Sequence, residues 1–388
     1  MSLPAPSAED LFGVYLHVPF CATRCGYCDF NTYTPGELGS AASTGSYLDA
    51  IVRELEMGAA QLETQGRLRA AQTVFIGGGT PSLLGATGLA TLLDGVRNSF
   101  GLAKGAEVTT ESNPESTSPE FFAGIREAGF NRVSLGMQSA AEHVLATLDR
   151  THTPGRPVAA AAEARRAGFD HVNLDLIYGT PGESMSDLDR SLEAVLSAGV
   201  DHVSAYSLIV ERGTAMYRKV RRGELPMPDD DDLADRYERI DAALSPTGLR
   251  WYEVSNWAQP GGECQHNLLY WRGGDWWGAG PGAHSHINGA RFANLKHPAR
   301  YAATISESTL PISADGVETL TAEQRHTEDV MLRLRLAEGM PRADFNAEEL
   351  PRVDHQINVG MLAETDGRVH LTHRGRLLAD AIICDILV

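Results

Sequence analysis

The chain has 388 residues, enough for two or three domains at about 150 residues each. It carries 51 acidic against 33 basic residues, and a net charge of −18 repels phosphate backbones, which argues against general nucleic-acid binding. No apolar run approaches the roughly 18–20 residues of a membrane span; the nearest, LLADAIICDILV, is interrupted by Asp380 and Asp385.

The opening MSLPAPSAED has neither a basic n-region nor an apolar h-region, so no secretory signal is expected. Five cysteines, an odd number, then point away from a disulfide framework. They point to a reducing cytoplasm, where clustered thiols hold metal or do redox work.

Strands are predicted at 13–18, 73–77, 107–112, 132–137, 171–178 and 202–210. Helical patterns lie between them at 47–65, 86–100, 119–129, 157–168 and 186–199, several ending at glycine. This alternation implies a parallel sheet of right-handed βαβ units, as a partial barrel or an open doubly wound sheet; periodicity does not choose. The loop at 33–46 is rich in Pro, Gly, Ser and Thr. The stretch GELPMPDDDD at 223–232 reads as the end of the first domain. Its aspartates suit a solvated turn capping the next helix better than a cation site, because consecutive side chains diverge.

From 251 to 301 the texture turns Gly- and aromatic-rich, with all five tryptophans inside it. From about 319 the pattern reads helix, helix, helix, a short strand at 368–372 and a last helix, which suits a winged-helix-like tail. Residues 318–388 hold eight basic and thirteen acidic residues, so a packing or lid module is favoured over a DNA reader.

The strongest chemical signal is Cys21-x-x-x-Cys25-x-x-Cys28, just after the first strand. Three thiolates on one tight loop suit a [4Fe–4S] cluster whose fourth iron is left open to a small ligand. A structural zinc site is the weaker reading, since zinc prefers two-residue spacings and needs a fourth ligand, for which Asp29 or His17 is awkward.

The segment Tyr15-x-His17-x-Pro19-Phe20-Cys21-x-x-x-Cys25-x-Tyr27-Cys28-Asp29-Phe30-Asn31 resembles the radical S-adenosylmethionine (SAM) proteins. It is most similar to the branch of oxygen-independent coproporphyrinogen III dehydrogenases and HemW-type haem chaperones, and the resemblance runs over nearly the whole chain. It implies a partial (β/α)6 TIM-like barrel at 1–225 with [4Fe–4S] and SAM sites. An α+β extension at 226–317 and a winged-helix-like C-terminal domain at 318–388 follow.

In such proteins the amino and carboxylate groups of SAM chelate the open iron. The matching positions lie at strand C-termini, where α/β folds place ligands. Gly78, Gly79 and Thr80 match the run that holds the methionine amino group, and glycines let backbone approach a ligand closely. Glu111 suits ribose hydroxyls, and Arg150 suits the SAM carboxylate as a fork. Gln138, Asp175, Tyr15 and Tyr27 also match SAM-binding positions, and Ile209 offers a backbone contact. Read singly, each polar residue serves equally as a satisfied interior group.

The dehydrogenases carry a further cysteine two residues after the third cluster cysteine; Phe30 stands there instead and argues against that reaction. The segment before Tyr15 is also shorter than theirs. The pattern His266-Asn267-x-x-Tyr270-Trp271 resembles the haem chaperones and is the candidate haem site. Histidine is a good iron ligand, and Tyr270 shares its helix face. Trp271, Trp276 and Trp277 offer flat apolar walls, with Cys264 and His284 as rival ligands; a plain aromatic core is the alternative. Cys384 reads as a buried small hydrophobe.

The expected function is a cytoplasmic haem chaperone with a [4Fe–4S] cluster, SAM and haem as cargo. It would deliver haem to acceptors such as respiratory enzymes, with peripheral membrane contact and a homodimer left open. Oxidative decarboxylation of coproporphyrinogen III is the alternative.

Overall fold

The computed structural model describes residues 11–38, 43–150 and 153–387. The signal reading of MSLPAPSAED and the middle of the 33–46 loop lie outside the described residues.

Six parallel strands form where expected: β1 Phe12–Val18, β2 Ala71–Gly78, β3 Leu102–Ser112, β4 Arg132–Gln138, β5 His171–Tyr178 and β6 His202–Ser207. Between them run the helices Thr44–Thr64, Gly85–Ser99, Pro119–Ala128, Arg156–Arg166 and Met185–Ala198. Ser43, Ser118 and Ser184 cap three of these helices through their hydroxyl oxygens. Gly129 and Gly199 end two of them in the left-handed conformation.

The spatial order follows the chain from β1 to β6 without reversal. A doubly wound sheet needs a reversal to put helices on both faces. Without one, every right-handed crossover lands on the same face and the sheet curls toward a barrel. The outer face is apolar: Leu16, Val74, Ile76, Leu135 and Leu174 are fully buried with Leu55, Leu92 and Val96 from the helices. Each such side chain contributes roughly 1.5–3 kcal/mol of burial. The alternate residues point inward and are mostly polar, among them Thr109, Glu111, Ser134, Asn173, Asp175 and Ser204.

The extension continues this sheet at both edges. The hairpin β7 Arg250–Glu253 and β8 Asn256–Ala258 adds antiparallel to β6. On the other side β9 Asp275–Ala279 pairs parallel with β1, a seventh parallel strand that the sequence showed only as aromatic texture. Antiparallel β10 His284–Ile287, β11 Ala290–Asn294 and β12 Ile312–Thr319 complete that edge. Trp251, Trp257 and Trp277 join the core of the barrel itself. The Pro/Asp stretch behaves as expected: Asp229 caps the helix Asp230–Leu244, accepting from the Asp232 N–H at 3.1 Å.

The tail has its own core around Val330, Leu334, Val353, Val369 and Ile383. Its sheet is β13 Met340–Pro341, β14 Leu362–Thr365 and β15 Arg368–Leu371. The strand expected at 368–372 is β15, and an unexpected strand, β14, precedes it and pairs with it as a hairpin. Asp366 and Gly367, with φ of 51° and 74°, make the turn, and an Asp-Gly pair is the sequence signal for it. Cys384 is exposed, contrary to its reading as buried. On the helix Ala379–Leu387 the inward stripe is Ile382, Ile383 and Ile386, which turns residue 384 outward. Among the described residues no helix is long and apolar enough to cross a membrane.

Candidate functional site

The cysteine loop leaves β1 at the C-terminal face of the barrel. The Cys21 N–H donates to the Tyr33 carbonyl at 3.1 Å and the Tyr33 N–H to Pro19 at 2.7 Å, which closes the loop. Its middle is held from two other elements. The Gly26 N–H donates to Leu148 at 3.0 Å, and the Gly26 carbonyl accepts from the Met216 N–H at 2.8 Å. A Cβ at Gly26 would meet the Asp149 carboxylate, which would have to swing aside. All three thiols are free and line a cavity of about 1120 Å³. Burial pushes the Cys21 and Cys28 thiols up, and the Thr80 hydroxyl, 3.8 Å from the Cys21 sulfur, opposes this at Cys21.

The glycine run after β2 packs beneath this loop. The Gly79 N–H donates to Val18 and the Thr80 N–H to Phe20, both at 2.7 Å. Gly78 has φ of 108°, and a Cβ there would lie 2.6 Å from the His17 ring. The Gly78 N–H donates to Glu111 Oε2 at 3.0 Å. Burial, and the facing Asp175, push the Glu111 carboxyl up to about 8. Burial also raises Asp175, against hydrogen bonds from the Ser134 hydroxyl at 2.9 Å and the Asn173 amide at 2.6 Å. Gln138 ends β4 with φ of 67°, after a register shift that turns the strand end over the cavity.

Arg150 joins the two halves. One nitrogen donates to the Gly136 carbonyl at 3.0 Å, another to the Cys25 sulfur at 3.5 Å, and its buried Nε has no partner among the described residues. Cys21, Cys25, Tyr27 and Cys28 thus line the same cavity as Gly78, Gly79 and Thr80, with Glu111, Gln138, Arg150, Asp175 and Ile209 around them. Three thiols on one loop, a backbone cradle and a buried cation with an unused donor fit a cluster bound by three cysteines and an amino-acid ligand beside it.

Tyr15 sits apart from this group. It lines a smaller inner cavity of about 180 Å³ and its hydroxyl lies 3.0 Å from His17 Nδ1. Glu111, Ser134, Asp175 and Tyr206 line both cavities, so the polar interior runs from the cluster loop toward the N-terminal face of the barrel.

The helix Gln265–Trp271 closes that far face. Glu107, inside the barrel, accepts the N–H groups of Gln265 at 3.1 Å and His266 at 3.0 Å and caps this helix from within. Arg132 pairs with Glu107 at 2.9 Å and donates to the Gly262 carbonyl at 2.6 Å. His266 is buried, with Nδ1 2.8 Å from the Thr73 hydroxyl and Nε2 2.8 Å from the Tyr270 hydroxyl. Burial lowers its pKa to about 3, so the ring is neutral. A Cβ at Gly13 would lie 3.2 Å from this ring, so glycine there admits it.

His266, Asn267 and Tyr270 face the inner cavity, whereas Trp271 packs on Tyr252, Leu268 and Leu336. The tryptophans do not form one wall. Neighbours on a strand alternate sides, so Trp276 meets Tyr270 and Trp277 enters the outer core. Cys264 is buried and donates to Glu107 at 3.5 Å, and His284 is exposed on β10.

Sequence reasoning passed over Glu107, Arg132 and the buried chain Asn173–His202–Tyr252, with contacts of 2.7 and 2.8 Å. Their signal was present as polar residues at every second position of β3 to β6.

Residues 15–195 match the family model of the radical SAM superfamily, and residues 320–378 match the HemN C-terminal domain. The chain is 60 % identical over 383 residues to "Heme chaperone HemW" of Mycobacterium tuberculosis, covering 99 % of this chain and 96 % of that protein. It is 35 % identical over 384 residues to the protein of the same name in Escherichia coli, covering 95 % and 96 %. The solved structure of the radical SAM enzyme coproporphyrinogen III oxidase (HemN) from Escherichia coli shares the fold. Its TM-score is 0.82 at 24 % identity, covering 98 % of this chain and 90 % of that one. The chain belongs to the HemW family of radical SAM proteins, which implies a [4Fe–4S] cluster and SAM.

Proposed function

We propose that the protein is a haem chaperone, which takes up haem and hands it to haem-dependent proteins in a reducing cytoplasm. The observation that carries this reading is the 60 % identity, over nearly the whole length of both chains, to a protein named for that activity. Acceptors are haem proteins such as respiratory enzymes, met by direct contact or at a membrane surface.

Cys21, Cys25 and Cys28 hold the cluster. Gly78, Gly79 and Thr80 form the cradle for the amino end of SAM, and Arg150 offers its unused Nε–H to the carboxylate. Glu111 accepts from ribose hydroxyls, with Tyr27, Gln138 and Asp175 completing the polar walls, while Tyr15 lines the inner cavity beyond them. When bound, the cluster supplies one-electron chemistry and an open iron for chelation. Asp175 and Glu111 face each other in a buried space, and at neutral pH the raised carboxyl of Glu111 holds the proton that limits repulsion between them.

The test is a haem titration of anaerobically reconstituted protein, followed at the Soret band with and without SAM, then transfer to an apo-haem protein. Saturable one-to-one binding and transfer are expected. No observation on this chain favours the coproporphyrinogen III reaction, and Phe30 stands where those enzymes carry their further cysteine. Anaerobic release of carbon dioxide from that substrate, without haem transfer, would replace the chaperone reading.

A further inference from the structure

Glu54 lies on the helix Thr44–Thr64, 1 % exposed, and its carboxylate accepts three hydrogen bonds. The donors are the Gly280 N–H at 2.8 Å, the Asn294 amide at 2.6 Å and the Tyr301 hydroxyl. A buried carboxylate is costly unless donors surround it. These three lie in the extension: the β9–β10 turn, the end of β11 and the helix Pro298–Ser306. The Asn294 amide also donates to the Gly280 carbonyl at 3.0 Å, so both polar groups of Gly280 are held, and with them the start of the turn at 280–283.

That turn packs on the end of the cysteine loop. A Cβ at Gly280 would lie 2.5 Å from the His17 carbonyl oxygen, and one at Gly282 would lie 2.7 Å from the Asn31 amide nitrogen. Asn31, three residues after Cys28, donates its amide hydrogens to the Pro281 carbonyl at 2.9 Å and the Lys296 carbonyl at 2.8 Å. Its Oδ1 accepts from the Tyr33 hydroxyl at 3.2 Å, and its backbone carbonyl accepts from His17 Nε2 at 2.9 Å. The loop's beginning and middle are anchored to the barrel and the helix starting at Ala215, through Gly79, Thr80, Leu148 and Met216. Its exit hangs on the extension.

We propose that Glu54 and Asn31 are positioning residues for the cluster: Glu54 fixes the 280–283 turn, and Asn31 ties the exit of the cysteine loop to that turn. The proposal rests on the reading of Cys21, Cys25 and Cys28 as the cluster ligands. Neither residue offers a ligand to iron. Their effect passes through the loop backbone, as groups behind a metal site hold its ligands in place. Asparagine suits position 31 because it presents two donors to two carbonyl oxygens. Aspartate has the same shape but would set a carboxylate against both oxygens. Glutamine at 54 has one acceptor oxygen in place of two for the three donors.

The experiment reconstitutes the full chain anaerobically and follows iron loss to a chelator. The electron paramagnetic resonance spectrum of the reduced protein and the melting temperature of the metal-free protein are recorded alongside. Asn31→Asp and Glu54→Gln are each expected to release iron about tenfold faster than the wild type and to alter the spectrum. Because both act on one turn, the double variant is expected to release iron no faster than the more severe single variant. Should Glu54→Gln fail to fold, Gly282→Ala takes its place, since its Cβ presses on the Asn31 amide from the turn. Wild-type iron release and spectrum in Asn31→Asp overturn the proposal. So do effects that multiply in the double variant, which would mean that Glu54 does not act through the turn. A lowered melting temperature with iron release unchanged makes the network a scaffold only and also overturns it. If the wild type itself takes up no iron and sulfide, the cluster reading falls and this proposal with it.

Discussion

Arg150 rests one guanidinium nitrogen on the Gly136 carbonyl at 3.0 Å and turns another toward the Cys25 sulfur at 3.5 Å. The contact depends on residue 136 having no side chain. A Cβ there would lie 2.7 Å from Arg150 Nη2 and 2.9 Å from Gln138 Nε2. Both are ends of side chains that can swing away, so the fold should survive Gly136→Ala while Arg150 and Gln138 are displaced. SAM affinity is expected to fall about tenfold or more, equivalent to about 1.4 kcal/mol. Anaerobic equilibrium dialysis with labelled SAM checks this, and unchanged iron content separates it from cluster loss. Undiminished affinity would mean that Arg150 does not hold the ligand from its present position.

Gly79 is a different case. A Cβ there would lie 2.5 Å from the Phe20 carbonyl oxygen and 3.0 Å from that of Val18. These are backbone atoms of β1 and the cysteine loop, and they cannot step aside singly. Gly79→Ala should therefore shift the loop that carries Cys21. A cost of about 1–3 kcal/mol is expected, as for overpacking, with a lower melting temperature and less iron retained after reconstitution. Normal iron content with lost SAM binding would instead assign Gly79 to the ligand alone.

Several parts of this site were legible because local chemistry is written locally. The cysteine spacing, the glycine run and the strand-end positions of Glu111 and Gln138 depend on a few neighbouring residues. So do the helix caps at Ser43, Ser118 and Ser184. What sequence could not supply was which faces meet. Trp276 and Trp277 look like a pair and lie on opposite sides of β9. Trp271 lies one residue from Tyr270 and leaves the cavity for another cluster. Glu107 and Arg132 lie 158 and 130 positions from Gln265 and Gly262, and only the closed fold brings them together. Cys384 was misread because an apolar helix was taken as apolar all round.

The Glu107–Arg132 pair gives the clearest stability prediction. Its side chains are 8 % and 2 % exposed, and the carboxylate also caps the helix bearing His266. Glu107→Ala leaves a buried guanidinium unpaired and two helix N–H groups without an acceptor. A loss of about 3–5 kcal/mol is expected for breaking a buried pair on one side. Glu107→Gln keeps an acceptor for the N–H groups and should cost less than Glu107→Ala. Urea denaturation of the metal-free protein measures both. Equal small losses would mean that water enters the floor and solvates Arg132.

His266 predicts a pH effect whose sign follows from its burial. In the unfolded chain the ring titrates near 6.5, and in the fold burial lowers it to about 3. Between these values the unfolded chain binds a proton that the folded chain does not, so stability falls as pH falls through the window. His266→Gln removes this contribution while keeping polar atoms near Thr73 and Tyr270. Between pH 7 and pH 5 the variant is expected to lose about 2 kcal/mol less stability than the wild type, from about 1.4 kcal/mol per pH unit below 6.5. Other buried histidines, His17 and His202, act in the same direction and cancel in the comparison. Equal acid losses in the two proteins would show that the ring takes up protons in the folded state. It would then be open to water, and His266 would be an accessible iron ligand.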